Sequence, residues 1–453
     1  MTAAESFGQY LEIVRAHGGS KCPKAVEGVV REATERLPQA MAAYRHDLED
    51  LDACRADRIY APDYAVNLDG VTMNADVAAS FHCGVPQLNS LLCVYVNDSV
   101  HIPCAGKLPA GLEIYPLRAL PEEYHADAAA LAKNTSDSPA GLIDTMLMTD
   151  GFYIRVAAGA VIDKPLQIVN IFNSTMPLYT SRHILVHALG GSQVKILLCD
   201  HSQTPQTAHL NAERVSVVAD NGAKVELYDI EESSPATSRR WLLEATQHDS
   251  SNLTVCTAFL HGGITRNEYR INIVGDGADT SLSGLAICTG SQIADNRVTL
   301  VHRGRHCRSR QLFKNAMFDE STGAFGGKII VEEGAEATDA VQTNRNMLAS
   351  PSARMLTAPQ LEIYCDDVKC GHGATTGQLD ERALFYMQSR GIPRHEATMM
   401  LTQAFMSDVV DNISFEVLRQ RLHMLVEKRL NGTSGSCDTC AAACRTNISK
   451  EEQ

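Results

Sequence analysis

Residues 214–230 read RVSVVADNGAKVELYDI: two runs rich in β-branched and aromatic residues, RVSVVA and AKVELYDI, separated by the turn NGA at Asn221. Outward from this stretch the texture repeats. Between about Asp150 and Asp367 lie GFYIRV, LQIVNIF, RHILVHAL, SQVKILLCD, NLTVCTAFL, EYRINIVG, RVTLVHR, GKIIVEE and QLEIYC, with further glycine-containing turns GGS at Gly190, GDGAD at Gly275 and EEGAE at Glu332. Many short strands punctuated in this way indicate an all-β sandwich, barrel or solenoid. Gly-Ala turn and strand units recur (Gly222, Gly277, Gly334), at irregular spacing and without the tight two-residue hairpin signals of a meander. The stretch therefore predicts a mainly β fold, a right-handed parallel β-helix core flanked by N-terminal and C-terminal α-helical segments.

The flanks read differently. Phe7, Tyr10, Leu11 and Val14 have the i, i+3, i+4, i+7 spacing of one helix face, and Pro23 can open a second helix running toward Pro38. The region from about Ala53 to Ser138 mixes turns with apolar runs such as LLCVYV, a strand signal. After Thr376, LDERALFYMQSRG carries an Asp at a helix N-cap position and ends at Gly391; Pro393 can start the next helix and Ser414 can cap a third. In that third helix Phe415, Leu418, Leu422 and Leu425 form a seam, either for the chain's own packing or for a partner. The expected organisation is an N-terminal helical and mixed unit (1–140), the β-helix core (141–375), a C-terminal helical unit (376–431) and a flexible Cys-containing tail (432–453).

Composition removes several classes. With 40 Lys and Arg against 54 Asp and Glu, the formal charge of −14 argues against a nucleic-acid or anionic-membrane partner. The basic run RGRHCRSR from Arg303 to Arg310 reads as a solvated charged face within strand-like sequence. The N-terminus lacks a secretory pattern and no run approaches the ~18 apolar residues of a membrane span, so a cytoplasmic location is expected. In that reducing compartment the 14 cysteines are not a disulfide framework; Cys93, Cys199, Cys256 and Cys288 read as small buried hydrophobes. Motifs for nucleotide binding, serine hydrolases and zinc proteases are missing: GAFGGKI at Gly323 to Ile329 lacks phosphate-loop spacing. His183, His187, His302 and His306 sit in strand-like sequence without metal-site spacing and read as satisfied structural histidines.

The chemistry concentrates in LEIYCDDVKCGHGATTGQLDE, Leu361 to Glu381. On an extended chain Cys370 and His372, two apart, point to one side. A thiolate and an imidazole on one face suit zinc or iron–sulfur ligation, yet two donors complete neither. Spacing alone leaves a ligand pair and a coincidence both open, and a ligand role requires donors from elsewhere, such as another chain. Cys365, alternating with Leu361 and Ile363, reads as buried. Asp366 and Asp367 point to opposite sides and make a poor acid–base pair. In the tail, Cys437, Cys440 and Cys444 could grip or deliver a metal, or have no role.

The run LEIYCDDVKCGHGATTGQLDERALFYMQSRGI, with the preceding SRQLFKNAMFDESTGAFGGKIIVEEGAEATDAVQTNRNMLASPSARMLTAPQ, resembles the signature of the SufD family over about Ser309 to Ile392. KCGHGATTGQLDE is similar to the SufD form rather than the SufB form. The resemblance implies a non-catalytic scaffold subunit of an iron–sulfur cluster assembly complex, built on a parallel β-helix. It implies pairing with a SufB-like subunit and a SufC-like ABC ATPase docked on helices within 379–430, and leaves open a homodimer in isolation. It further implies that Cys370 and His372 are ligands at the SufB-facing interface for a transient iron–sulfur cluster, His372 the stronger of the two, with no nucleotide bound directly; whether reduced flavin takes part in the complex stays open. Departures are Gly371 in place of the usual serine, Cys365 in place of the common alanine (a further thiol near the site) and the Cys-rich tail. Two rivals stand beside this: a polysaccharide-cleaving β-helix enzyme, and a stand-alone metal or redox carrier working through Cys437, Cys440 and Cys444.

Overall fold

Sixteen strands, from Phe152–Val156 to Val368–Gln378, alternate one by one between two sheets, and all but those at the two ends pair in parallel with the strands two before and two after them. That is a parallel β-solenoid. The computed structural model describes residues 2–43, 56–72, 89–103, 106, 108–135 and 138–432; the predicted thiol arm with Cys437, Cys440 and Cys444 lies outside them. Equivalent residues stack in columns. One inner column runs Leu227, Val255, Leu282, Gln311, Gln342, His372; its neighbour runs Val225, Leu253, Thr280, Ser309, Ala340, Cys370. Inside, aliphatic and aromatic side chains from both sheets fill the space between them, including Leu227, Trp241, Val255, Tyr269, Phe313 and Phe325, which accounts for runs too apolar to alternate.

The irregular glycine spacing has a physical explanation at one corner of the solenoid. There the N–H of each left-handed turn residue donates to a carbonyl of the next rung: Gly159, Gly191, Gly222, Ser250, Gly277, His306 and Ala337 in succession. Ser250, His306 and Ala337 hold φ of 55°, 56° and 56°. Three rungs thus accept the steric cost of a side chain in the left-handed region, of order 1–2 kcal/mol each, and the repeat disappears from the sequence while persisting in the backbone. Gly334 is not the equivalent residue; Ala337 is.

The first end of the solenoid is closed by the chain itself. Leu91–Val96 adds in parallel to Leu166–Phe172 and Ser99–His101 folds back on it antiparallel, while Leu112–Pro116 caps the other sheet antiparallel to Phe152–Val156. Eight α-helices occur among the described residues: α1 Ala3–His17, α2 Glu27–Ala43, α3 Ala56–Ile59, α4 His125–Ala132, α5 Pro139–Met146, α6 Glu381–Ser389, α7 Arg394–Val410 and α8 Glu416–Leu430. Phe7, Tyr10, Leu11 and Val14 of α1 pack with Leu142, Ile143 and Met146 of α5 over Tyr179 and Leu210, the outer face of one sheet. On the other sheet, α7 and α8 bury Met406, Val409, Leu418, Leu422 and Leu425 against Tyr228, Ile230, Cys256 and Leu285. No helix among the described residues is long and apolar enough to cross a membrane.

Several expectations are corrected here. The second helix, Glu27–Ala43, passes through Pro38, because Leu37 and Ala40 on either side are buried; packing outweighs the lost hydrogen bond. Ser414 does not cap α8, whose N-cap is Phe415; its hydroxyl donates to Glu226 Oε2 at 2.5 Å instead, tying the helix to the sheet. The Leu418, Leu422, Leu425 seam is spent on the chain's own core and is not free for a partner. Arg303, Arg305, Arg308 and Arg310 pair with Glu332, Asp276, Asp279 and Asp339, so the basic run is a ladder of ion pairs between rungs. His183 and His302 are buried and His187 lies between Asp127 and Asp220, whereas His306 is an exposed turn residue.

One charged cluster sits within the solenoid. Arg239 pairs with Asp200 at 3.0 Å and Asp229 at 2.7 Å, all three 1% exposed, beneath the ring of Trp241, whose Nε1 donates to Glu213 at 3.1 Å. Burial, reinforced by Asp200, pushes the Glu213 carboxyl up to about 7; burial pushes Asp229 up to about 6 despite Arg239. Arg239 is held protonated by these neighbours.

Candidate functional site

The last two strands, Arg354–Ile363 and Val368–Gln378, end their sheets: among the described residues each has a partner on one side only. Their predecessors Thr322–Val331 and Thr338–Leu348 alternate buried with less buried residues, but Val368–Gln378 is exposed along most of its length. A strand with one unpaired edge presents a row of backbone donors and acceptors. Ile363 and Tyr364 add exposed apolar surface at 42% and 64%.

On this terminal strand Cys370 lies opposite Ala340 and His372 opposite Gln342. Because Ala340, Gln342, Asn344 and Asn346 face inward and are buried, Cys370, His372, Ala374 and Thr376 continue the inner columns to the rim. The opposite face carries Lys369, Gly371, Gly373, Thr375 and Gly377, almost bare of side chains. The two-residue spacing thus has the geometric meaning expected of it: thiol and imidazole share one face, at the open mouth.

Cys370 is half-buried. With Leu361, Cys365 and Val368 it packs on Ile329, Val331, Ala335 and Ala340. Burial raises its thiol above the usual range, with a smaller contribution from Asp339 and Cys365, against a lowering hydrogen bond from the Ala340 backbone. The thiol is therefore the resting form, and metal binding has to displace its proton. Cys365 lies in the turn after Ile363, not on the strand, and is half-buried rather than fully buried; it shares the apolar cluster with Cys370. His372 is exposed. No group of three or more His, Cys, Asp or Glu side chains suited to one metal ion occurs among the described residues.

Two features escaped the sequence reading. The amides of Gln311 and Gln342 line the interior behind His372, joined by a 2.8 Å hydrogen bond; their signal was the alternation Gln342, Asn344, Asn346 in a strand otherwise read as β-rich. Beyond the rim, α6 buries only Leu384 and leaves Phe385 and Tyr386 73% and 59% exposed. The Asp380 cap does form, its carboxylate accepting from the Arg382 and Ala383 amides.

Comparison with known proteins agrees with this architecture. Residues 171–405 match the family described as SUF system FeS cluster assembly, SufBD core domain, and residues 2–168 match the SufBD protein N-terminal region. The iron–sulfur cluster assembly protein SufD of Escherichia coli is 36% identical over 39% of this chain and 43% of its own length, so the match spans under half of that relative. An iron–sulfur cluster assembly SufBD family protein of Synechocystis is 24% identical over 79% of this chain and 82% of its own. SufD of Bacillus subtilis is 27% identical over 63% and 65%. The chain belongs to the SufBD family.

Proposed function

We propose that this chain is the SufD-type scaffold of a SUF iron–sulfur cluster assembly complex, itself non-catalytic, which offers Cys370 and His372 at its open rim to a cluster completed by a second chain. The observation that carries the reading is the coincidence of these two donors with the unfinished end of the solenoid. Two donors do not close a cluster, and the strand edge beside them has backbone groups left for another strand. A SufB-like core ending in the same way would add strands to both sheets and bring its own ligands to the seam. The cluster is cargo: assembled there and passed on.

The C-terminal helices suit the docking of a SufC-like ABC ATPase. Since the leucine seam of α8 is buried, the surface for it is α6, with Phe385 and Tyr386, and Met400 of α7, 51% exposed. An exposed aromatic pair on a short helix is the kind of anchor that carries interface energy. ATP would be bound and hydrolysed on that partner, and movement of α6 and α7 would reach the rim through the short connection at Gln378 to Glu381.

The test is maturation of a cluster-containing reporter enzyme in cells lacking the native gene. Wild type restores it and the Cys370→Ala, His372→Ala double variant does not, while both proteins accumulate equally. Full maturation by the double variant would sink the ligand role. Loss on deleting residues 433–453 alone would instead favour the carrier reading.

A further inference from the structure

The inner column that ends at His372 changes chemistry as it approaches the rim. Leu227, Val255 and Leu282 are followed by Gln311 and Gln342, 2% and 0% exposed. Gln342 Nε2 donates to Gln311 Oε1 at 2.8 Å, so its nitrogen is engaged with the rung before. Its Oε1 is buried and without a hydrogen-bond partner among the described residues. In a planar amide the oxygen and nitrogen diverge from one carbon, so with the nitrogen engaged by Gln311 the oxygen is left to accept from a different neighbour. The far wall makes room for this: a Cβ on Gly327 would lie 2.3 Å from Gln342 Nε2 and 2.5 Å from Oε1, a clash that glycine avoids. The next residue along the column is His372, on the neighbouring strand and the same face.

We propose that Gln342 is a positioning residue for His372. With the imidazole turned in over the rung, its ring N–H donates to Gln342 Oε1, which fixes the tautomer and leaves the other nitrogen's lone pair facing out of the rim. The buried acceptor gains the partner it lacks, and the imidazole gains the hydrogen bond that metal-ligating histidines almost always make through their second nitrogen. Gly327 shares the role at one remove, by keeping the amide's seat open. The significance of the contact rests on the ligand reading of His372; the contact itself does not.

The experiment is nitrogen NMR of the full-length chain labelled with ¹⁵N-histidine, at about pH 8.5, where ordinary imidazoles are neutral. The His372 signals are assigned by their loss in His372→Ala. The wild type is expected to hold His372 in one tautomer. Gln342→Leu should return it to the averaged tautomers of a free imidazole, and Gln342→Glu, which keeps an acceptor, should restore the single form. Averaged tautomers in the wild type overturn the proposal with no substitution involved, so a misfolded leucine variant leaves the test intact. A single tautomer persisting in folded Gln342→Leu overturns it as well. In cells, Gln342→Leu should lower reporter maturation several-fold with rescue by Gln342→Glu. Should His372→Ala prove harmless to maturation while the tautomer result holds, the ligand reading fails and the positioning contact stands.

Discussion

The two ends of the solenoid are made of the same kind of rung and finished differently. At the first end, Ser99–His101 and Leu112–Pro116 fold back antiparallel on the sheets. The interior near that end contains polar groups that meet one another: Asn170 donates to Asp200 and Glu213 at 2.6 Å, and Arg182 lies 4.4 Å over the Phe172 ring. At the last end no strand folds back among the described residues, the inner columns run out to the rim, and Gln342 Oε1 there is buried without a hydrogen-bond partner. One end is covered by the chain's own antiparallel strands and the other is left open. The fold closes one end with its own chain and leaves the other unfinished, with a thiol and an imidazole there, which is what the proposed completion by a second chain requires.

Substitutions sort accordingly. In the middle of the solenoid, Arg239→Met should cost about 3–5 kcal/mol of stability, because it leaves Asp200 and Asp229 buried without their cation; denaturant unfolding measures it, and a loss under 1 kcal/mol would mean the cluster is not a structural pair. At the open end, the Cys370→Ala, His372→Ala pair should reduce maturation by more than about tenfold, 1.4 kcal/mol in an equilibrium, while shifting the melting temperature by only about a degree. Between the two, Phe385→Glu with Tyr386→Ser should weaken ATPase binding by roughly tenfold, in the range of an interface anchor, with little change in stability; unaltered binding in calorimetry would move the docking surface elsewhere.

The smallest effect concerns pH. The folded-state pKa of Glu213, about 7, lies above its unfolded value of about 4.3. The folded chain therefore holds this proton where the unfolded chain has lost it, and the stability the group contributes declines as pH rises from about 4.3 to about 7. Glu213→Gln removes that decline. Its melting temperature should exceed that of wild type by a few degrees at pH 8 and converge with it near pH 5; a constant gap would assign the difference to packing.

Much of this was legible beforehand, for identifiable reasons. Strands such as RVSVVA and AKVELYDI carry their propensity locally, and Cys370 with His372 declared a shared face through simple alternation. The rung period was hidden because Ser250, His306 and Ala337 occupy left-handed corners where glycine was the only visible marker. Pro38 looked like a helix end because the burial of Leu37 and Ala40 is a tertiary fact. The Leu418 to Leu425 seam could be assigned to self or partner only once its opposite wall, Tyr228 to Leu285, was in place. Likewise Gln342 gains meaning from Gly327, which belongs to the other sheet.

The central claim is that the last rung is an interface, and hydrogen–deuterium exchange on the full chain with and without a SufB-like subunit tests it most directly. The amides of Arg354–Ile363 and Val368–Gln378 should exchange quickly in the isolated chain at their free edges and become protected on adding the partner, with no change at Ser99–His101 or Leu112–Pro116. Protection at the closed end, or a complex that forms while both terminal strands exchange as before, would contradict it.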